Sequence, residues 1–318
     1  MHNKGNPDPP EQVVDVVVIG EALIDVVTTP EGTNEHPGGS PANVAYGLAR
    51  LGVSTGLLTS IGADRRGDAL EEHLTGAGVV LLPGSRSLER TSTATATIAQ
   101  DGSASYAFDI IWDVEPLDPA HTPPKLVHTG SIASFLSNGA GGVKAMLQKL
   151  RSECIITYDP NIRPALLGTH AEARRTFEEL VQLTSVVKLS DEDAEWLYPE
   201  KALEETATHI LDLGAELAVI TRGSSGSLLA TSTTSISIPA VKTPVVDTIG
   251  AGDSYMSALI LGLLTRGTGG LAPSVLDQLG CTAAAAAAIT VSRAGARPPT
   301  EEELRTKLQR QPQLLSQA

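Results

Sequence analysis

After a polar, proline-containing opening segment, the chain enters an apolar run at 13–19 that is interrupted only by Asp15. A run without polar alternation reads as a strand buried on both faces. Short runs of the same kind recur at 54–60, 126–128, 155–158, 185–189 and 217–221. Between them lie stretches whose apolar residues stand three and four apart, at 41–51, 68–74, 143–150, 171–183, 203–213, 254–264 and 276–289. That spacing gathers the apolar side chains on one face of a helix. Strands and helices that alternate in this way predict an α/β protein, with a parallel sheet covered on both faces.

Two segments break the rhythm. TSTATATIA at 91–99 and SASYAF at 103–108 alternate with period two and keep polar faces, with Gln100, Asp101 and Gly102 as a turn between them. This is a hairpin signal. A hairpin with polar faces does not belong in a buried parallel sheet. It predicts a small excursion from the main domain, either a lid or a plain surface hairpin.

Composition narrows the function classes. The 318 residues are 41% hydrophobic, enough for a substantial core and too apolar for a disordered chain. Net charge is −14, aromatics are 3%, and no basic block occurs, so nucleic acid is not expected as a partner. The seven histidines show no metal-ligand spacing, and the two cysteines cannot build a disulfide framework. The first residues lack the apolar stretch of a leader peptide, and the apolar run at 283–289 is too short to span a bilayer. A cytoplasmic protein without a membrane partner is the expectation.

Candidate chemistry concentrates in two glycine-containing segments. DTIGAGD at 247–253 precedes a helical run, which puts Asp253 in a first helical turn behind a glycine loop. Gly250 and Gly252 allow a sharp turn, and the N–H groups of the helix start then form a cup for an anion such as phosphate. A carboxylate in such a cup is unfavourable unless it works. Accepting a proton from an attacking hydroxyl, while the amides hold a phosphoryl group, is work that fits. The alternative is a plain helix cap. Tyr255 stands where a dinucleotide fingerprint needs glycine, and the chain holds no Gly-Lys pair for a P-loop. The second segment, GGSPANVAYGLARLG at 38–52, places Gly38 and Gly39 before a helix with Pro41 and Asn43 in its first turn. It reads either as a close approach to a ligand or as a turn.

Together these two segments resemble the signatures of the PfkB/ribokinase family of sugar kinases. Further matches stand between and after them in the family's order: Gly62 to Gly67, D-P-N-I-R at 159–163, Lys188 to Asp193, Thr221 to Gly226, and Arg293 to Pro299. The resemblance covers about 13–305 and leans toward fructokinases through GEALID at 20–25, HTGSIA at 128–133 and GARPPT at 295–300. It implies a ribokinase-like, Rossmann-type αβα sandwich with a small β-sheet lid. The lid would be inserted at approximately 25–38 and 91–113 in a kinase domain at 13–310, with flexible tails at 1–12 and 311–318.

The resemblance also implies transfer of the ATP γ-phosphoryl group to a primary hydroxyl of a small sugar, fructose first, with Asp253 as general base. Gly250, Ala251 and Gly252 would supply the anion hole. Asp25, Gly38, Gly39, Asn43 and Arg163 would contact the sugar. Lys188, Ser190, Thr221, Gly223 and Gly226 would line the nucleotide site. Asp193 would reach magnesium through water, and Asp247 would lie near a monovalent cation such as potassium. Plainer readings stand beside these: a turn carboxylate for Asp25, a salt-bridged loop arginine for Arg163 and an acidic helix cap for Asp193. The chain departs from the family's N-x-x-E pattern at Ser190 and Asp193, and from a common fructokinase Leu-Trp at Ala165 and Leu166. Ribose, 2-keto-3-deoxygluconate or a nucleoside are the alternative acceptors; a nucleoside would use an aromatic slot of Tyr106, Phe108 and Trp112. A non-catalytic sugar or nucleotide sensor is the alternative from another class. A homodimer through the lid strands is the expected assembly.

Overall fold

Nine strands form one twisted sheet in the computed structural model, which describes residues 13–99, 103–114 and 123–310. Seven of them run parallel, from one edge inward: β5 (Val80–Leu81), β4 (Thr55–Leu58), β1 (Val16–Ile19), β8 (Leu126–Gly130), β9 (Ile155–Asp159), β10 (Val186–Ser190) and β11 (Leu217–Thr221). Two antiparallel strands, β12 (Ser227–Ala230) and β13 (Ser235–Ile238), close the far edge. The expectation of a purely parallel sheet is therefore corrected: the sheet is mixed. Four-residue strands joined by tight Gly and Thr turns show too little periodicity to be read from the sequence, and only pairing reveals their direction.

Alternation along each strand feeds two separate cores. Leu217 and Val219 of β11 pack on one side, while Ala218 and Ile220 pack on the other. The first core is covered by α1 (Ser40–Arg50), α2 (Arg65–Gly76), α7 (Ala251–Arg266), α8 (Pro273–Val291) and α9 (Glu301–Arg310). The second is covered by α3 (Ser137–Leu150), α4 (His170–Val181), α5 (Asp191–Leu197) and α6 (Leu203–Asp212). This is the expected αβα sandwich. Among the described residues, α8 is long and apolar enough to cross a membrane by length and composition, but most of its window is buried inside the fold.

The second sheet is small, with strand order β3 (Gly32–Gly38), β2 (Leu23–Thr29), β6 (Thr93–Ile98) and β7 (Ala104–Asp109). The predicted hairpin is present as β6 and β7, and its turn at 100–102 lies outside the described residues. So do the tails expected at 1–12 and 311–318. One aromatic leaves the predicted slot. Trp112 is buried in the second core of the main sheet, against Gly139, where a Cβ would collide with its ring. Tyr106 and Phe108 stay exposed on β7.

Candidate active site

Asp253 sits in the first turn of α7, at the end of the sheet where the parallel strands terminate. The turn before it depends on Gly250, which caps the helix in the left-handed conformation at φ 74°. A side chain there would also press on Ala296, at 2.7 Å. The Ala251 N–H turns back to the Thr248 carbonyl at 3.3 Å, so the open N–H groups of the expected cup belong to the residues that follow it.

The Asp253 carboxylate is held by the neighbouring helix. Ser40 Oγ donates to Oδ1 at 2.7 Å and Asn43 Nδ2 donates to Oδ2 at 2.9 Å. Both donors lie in the first turn of α1, which starts at Gly39 with φ 99°; a Cβ there would lie 2.5 Å from the Glu21 carbonyl. The two helices are tied further along, where Ser257 Oγ donates to the Val44 carbonyl at 3.1 Å. Burial pushes the Asp253 carboxyl above its ordinary value, while the Ser40 and Asn43 hydrogen bonds and the charges of Lys188 and Arg163 pull it back. An ionised carboxylate with two fixed donors is pre-aimed and can accept a proton.

Asp25 reaches the same place from β2. Its oxygen occupies the space a Gly38 side chain would fill, with Oδ2 only 2.1 Å from that Cβ position. Burial raises the Asp25 carboxyl as well, opposed by the charges of His36 and Arg163. Arg163 follows Asn161, which adopts φ 39°, and its guanidinium donates to the Ile162 carbonyl at 2.9 Å. Asp25, Gly38, Gly39, Asn43 and Asp253 thus converge from four elements, β2, β3, α1 and α7.

Next to them opens a cavity of about 1180 Å³. Lys188, Ser190, Thr221, Gly223 and Gly226 line it, along with Ala251, Gly252 and the alanines 284, 287 and 288 of α8. The small side chains of α8 give it a flat apolar wall. Gly226 at φ 88° lets the main chain pass the Ile238 carbonyl, which a Cβ would meet at 2.0 Å. Among these residues Lys188 is tied by an ion pair to Asp159 at 2.7 Å, with both side chains almost fully buried.

The two acids expected near cations are held by main-chain amides. Asp193 accepts from Ile162 N at 2.9 Å and Ser190 N at 3.1 Å, and Ser190 Oγ accepts from Asp193 N in return, a complete capping box. Asp247 accepts from Ile249 N at 3.0 Å and Gly295 N at 2.8 Å, and these bonds hold its carboxyl below the usual range. Among the described residues no group of three His, Cys, Asp or Glu side chains could hold a metal ion.

Sequence reasoning missed three residues of this site. Ser40 lies inside the quoted glycine motif, and Asp159 opens the quoted D-P-N-I-R. Glu21 is buried at the corner between β1 and β2, accepts from Ala133 N at 3.1 Å, and is pushed up to about 7 by burial. In each case the residue stood beside a recognised position, and only a partner distant in sequence discloses its use.

Fold and site together define a phosphotransferase, and the comparisons agree. The model of the pfkB family carbohydrate kinases matches residues 14–303, and the chain belongs to that family. It is 31% identical to a fructokinase of Rhizobium leguminosarum over 259 residues, 78% of this chain and 79% of that one. Among solved structures, an aminoimidazole riboside kinase from Salmonella enterica, complexed with its riboside and an ATP analogue, aligns at TM-score 0.80 and 25% identity, covering 92% of this chain and 99% of that one. A fructokinase from Xylella fastidiosa with bound ATP aligns at TM-score 0.81, covering 94% and 100% of the two chains, and at 23% identity supports the fold alone. The protein is an ATP-dependent sugar kinase that phosphorylates a sugar hydroxyl.

Proposed function

We propose that the acceptor is fructose, phosphorylated on its primary 6-hydroxyl, and that Asp253 is the general base. The observation that carries this reading is the half-buried Asp253 carboxylate, fixed by Ser40 and Asn43 beside the 1180 Å³ cavity. In this reading the sugar lies between Asp25, Gly38, Gly39, Asn43 and Arg163, and the nucleotide fills the cavity along Thr221, Gly223, Gly226 and the α8 wall. Asp253 takes the hydroxyl proton as the oxygen attacks. Of the expected anion hole of Gly250, Ala251 and Gly252, the Gly252 N–H steadies the charge on the transferring group, since the Ala251 N–H is already engaged by the Thr248 carbonyl and Gly250 serves as the left-handed cap.

Acid groups suit a polyol because one carboxylate accepts two hydroxyl donors. Asp25 and Asp253 together favour a neutral sugar over an anionic one. With Trp112 removed to the core, the aromatic slot for a nucleoside reduces to Tyr106 and Phe108. Magnesium accompanies ATP and neutralises its charge when bound. Asp193, with both oxygens on main-chain amides, shapes the segment the nucleotide would face and could meet that ion only through water. Asp247 is assigned in the same way to shaping the 293–297 loop, beside which a potassium ion would sit.

The small sheet ends in β3 and β7, and unpaired edges invite a second copy. A homodimer through these strands is part of the proposal; light scattering that returns a monomer mass refutes it. The acceptor is tested by ADP release with fructose, ribose, 2-keto-3-deoxygluconate and adenosine in parallel. Fructose is expected to give the highest kcat/KM, and a tenfold preference for any other acceptor overturns the assignment.

A further inference from the structure

Two oppositely charged residues face each other on the sheet floor behind α7. Thr157 pairs with Val186 across β9 and β10, so Asp159 and Lys188, two residues on, share one face. Lys188 Nζ donates to Asp159 Oδ2 at 2.7 Å, and the side chains are 3% and 6% exposed for Asp159 and Lys188. On its other side the ammonium rests against Gly252, where a Cβ would lie 3.0 Å from Nζ. Gly252 directly precedes Asp253. Asp159 Oδ1 is buried with no hydrogen-bond partner, and so is Nε2 of His128, one pleat back on the neighbouring strand. Burial and the nearby ammonium keep that imidazole neutral, pushed down to about 3.

A buried ion pair is a poor source of stability, because desolvation offsets the attraction. Its field, however, is strong where water is absent. The charged groups around Asp253 are Glu21 from the β1–β2 corner, Asp25 from β2, Asp159 from β9, Lys188 from β10 and Arg163 from the 161–164 loop. Three acids and burial favour a protonated base, and two cations oppose them. Arg163 belongs to a loop that must meet the acceptor. Lys188 is fixed to the sheet by its ion pair and lies against Gly252 at the floor of the cavity.

Resting on the reading of Asp253 as the base, we propose that Lys188 is a positioning residue that keeps Asp253 ionised, and that Asp159 sets how much of the ammonium's charge reaches it. Removing Lys188 then raises the pH at which the base gains its proton. Removing the charge of Asp159 does the reverse, since it deletes an acid near Asp253 and leaves the ammonium unopposed. Loss of structure alone lowers the rate at every pH and moves neither limb.

The test is kcat/KM for the sugar against pH at saturating ATP, for the full chain and three variants. In Lys188→Met the acid limb is expected to rise by roughly one pH unit, the size of effect an opposite charge nearby exerts. In Asp159→Asn the limb falls, and in Lys188→Arg it stays. Glu21, whose carboxyl burial pushes up to about 7, also faces Asp253, so the series is repeated in a Glu21→Gln background, where the same shifts are expected. An unmoved limb in Asp159→Asn overturns the proposal, as does a limb unmoved in a folded Lys188→Met. If Lys188→Met does not fold, Asp159→Asn decides alone. Asp253→Asn is assayed alongside: full activity there refutes the base reading itself, whereas lost activity with unmoved limbs refutes only the role given to Lys188.

Discussion

The two sides of the active site are built from unlike materials. The cavity side rests on the nine-stranded sheet, whose central strands are buried along nearly their whole length and flanked by packed helices. The acceptor side is roofed by the four-stranded sheet, in which β3 is exposed along most of its length and Tyr106 is 69% exposed. The first side carries two packed cores of its own; the second has little apolar surface to hold it closed. A kinase must exclude water while it transfers a phosphoryl group, and a light sheet over a heavy one can close on the acceptor. Asp253, the proposed base, stands where the two sides meet, on a helix of the heavy side.

This division can be tested on both sides. Asp253→Asn should lower kcat about 10²–10⁴-fold, the usual contribution of a general base, while ATP and sugar binding by calorimetry persist. Phe177→Ala, in the core of the main sheet and 0% exposed, should cost about 3–5 kcal/mol in denaturant unfolding. Tyr106→Ser on the small sheet should stay within about 0.5 kcal/mol of wild type in the same experiment. An equal loss from both variants would erase the contrast between the sheets. Asn43→Ala removes a donor to a charged oxygen and should reduce kcat/KM roughly 10- to 100-fold.

The pH dependence of stability sharpens the same contrast. Glu21 is pushed from 4.5 to about 7, so the folded state keeps a proton that the unfolded chain releases between those values. Stability from this group is present below 4.5 and is lost as pH rises toward 7. His128 acts oppositely: lowered from 6.5 to about 3, it costs stability as pH falls through that window. Glu21→Gln should therefore melt higher than wild type at pH 8 and show a smaller difference at pH 5. A variant that melts lower at pH 8 would place the worth of Glu21 in its hydrogen bond to Ala133.

Much of this was legible in the residues. Apolar runs located six of the seven parallel strands to within a few residues, all but the two-residue β5, and the hairpin at 91–108 stood out because its polar alternation clashed with its surroundings. The glycine motifs pointed to Asp253 and Asn43, which lie 210 residues apart and meet at 2.9 Å. Trp112 was misplaced, because an aromatic next to a lid strand carries no mark of which core it enters. The antiparallel β12 and β13 were missed, because strand direction is a property of pairs.

By itself, the sequence determined the local matters: which segments are strands or helices, where glycine must stand, and which acid heads α7. These follow from periodicity, steric freedom and helix ends, all acting over a few residues. Only the tertiary structure decided the electrostatics of the site. The ammonium of Lys188 under Gly252, the pairing with Asp159 and the donors from α1 arise from segments brought together across the sheet. Charge acts through space, and spacing along the chain does not report that distance.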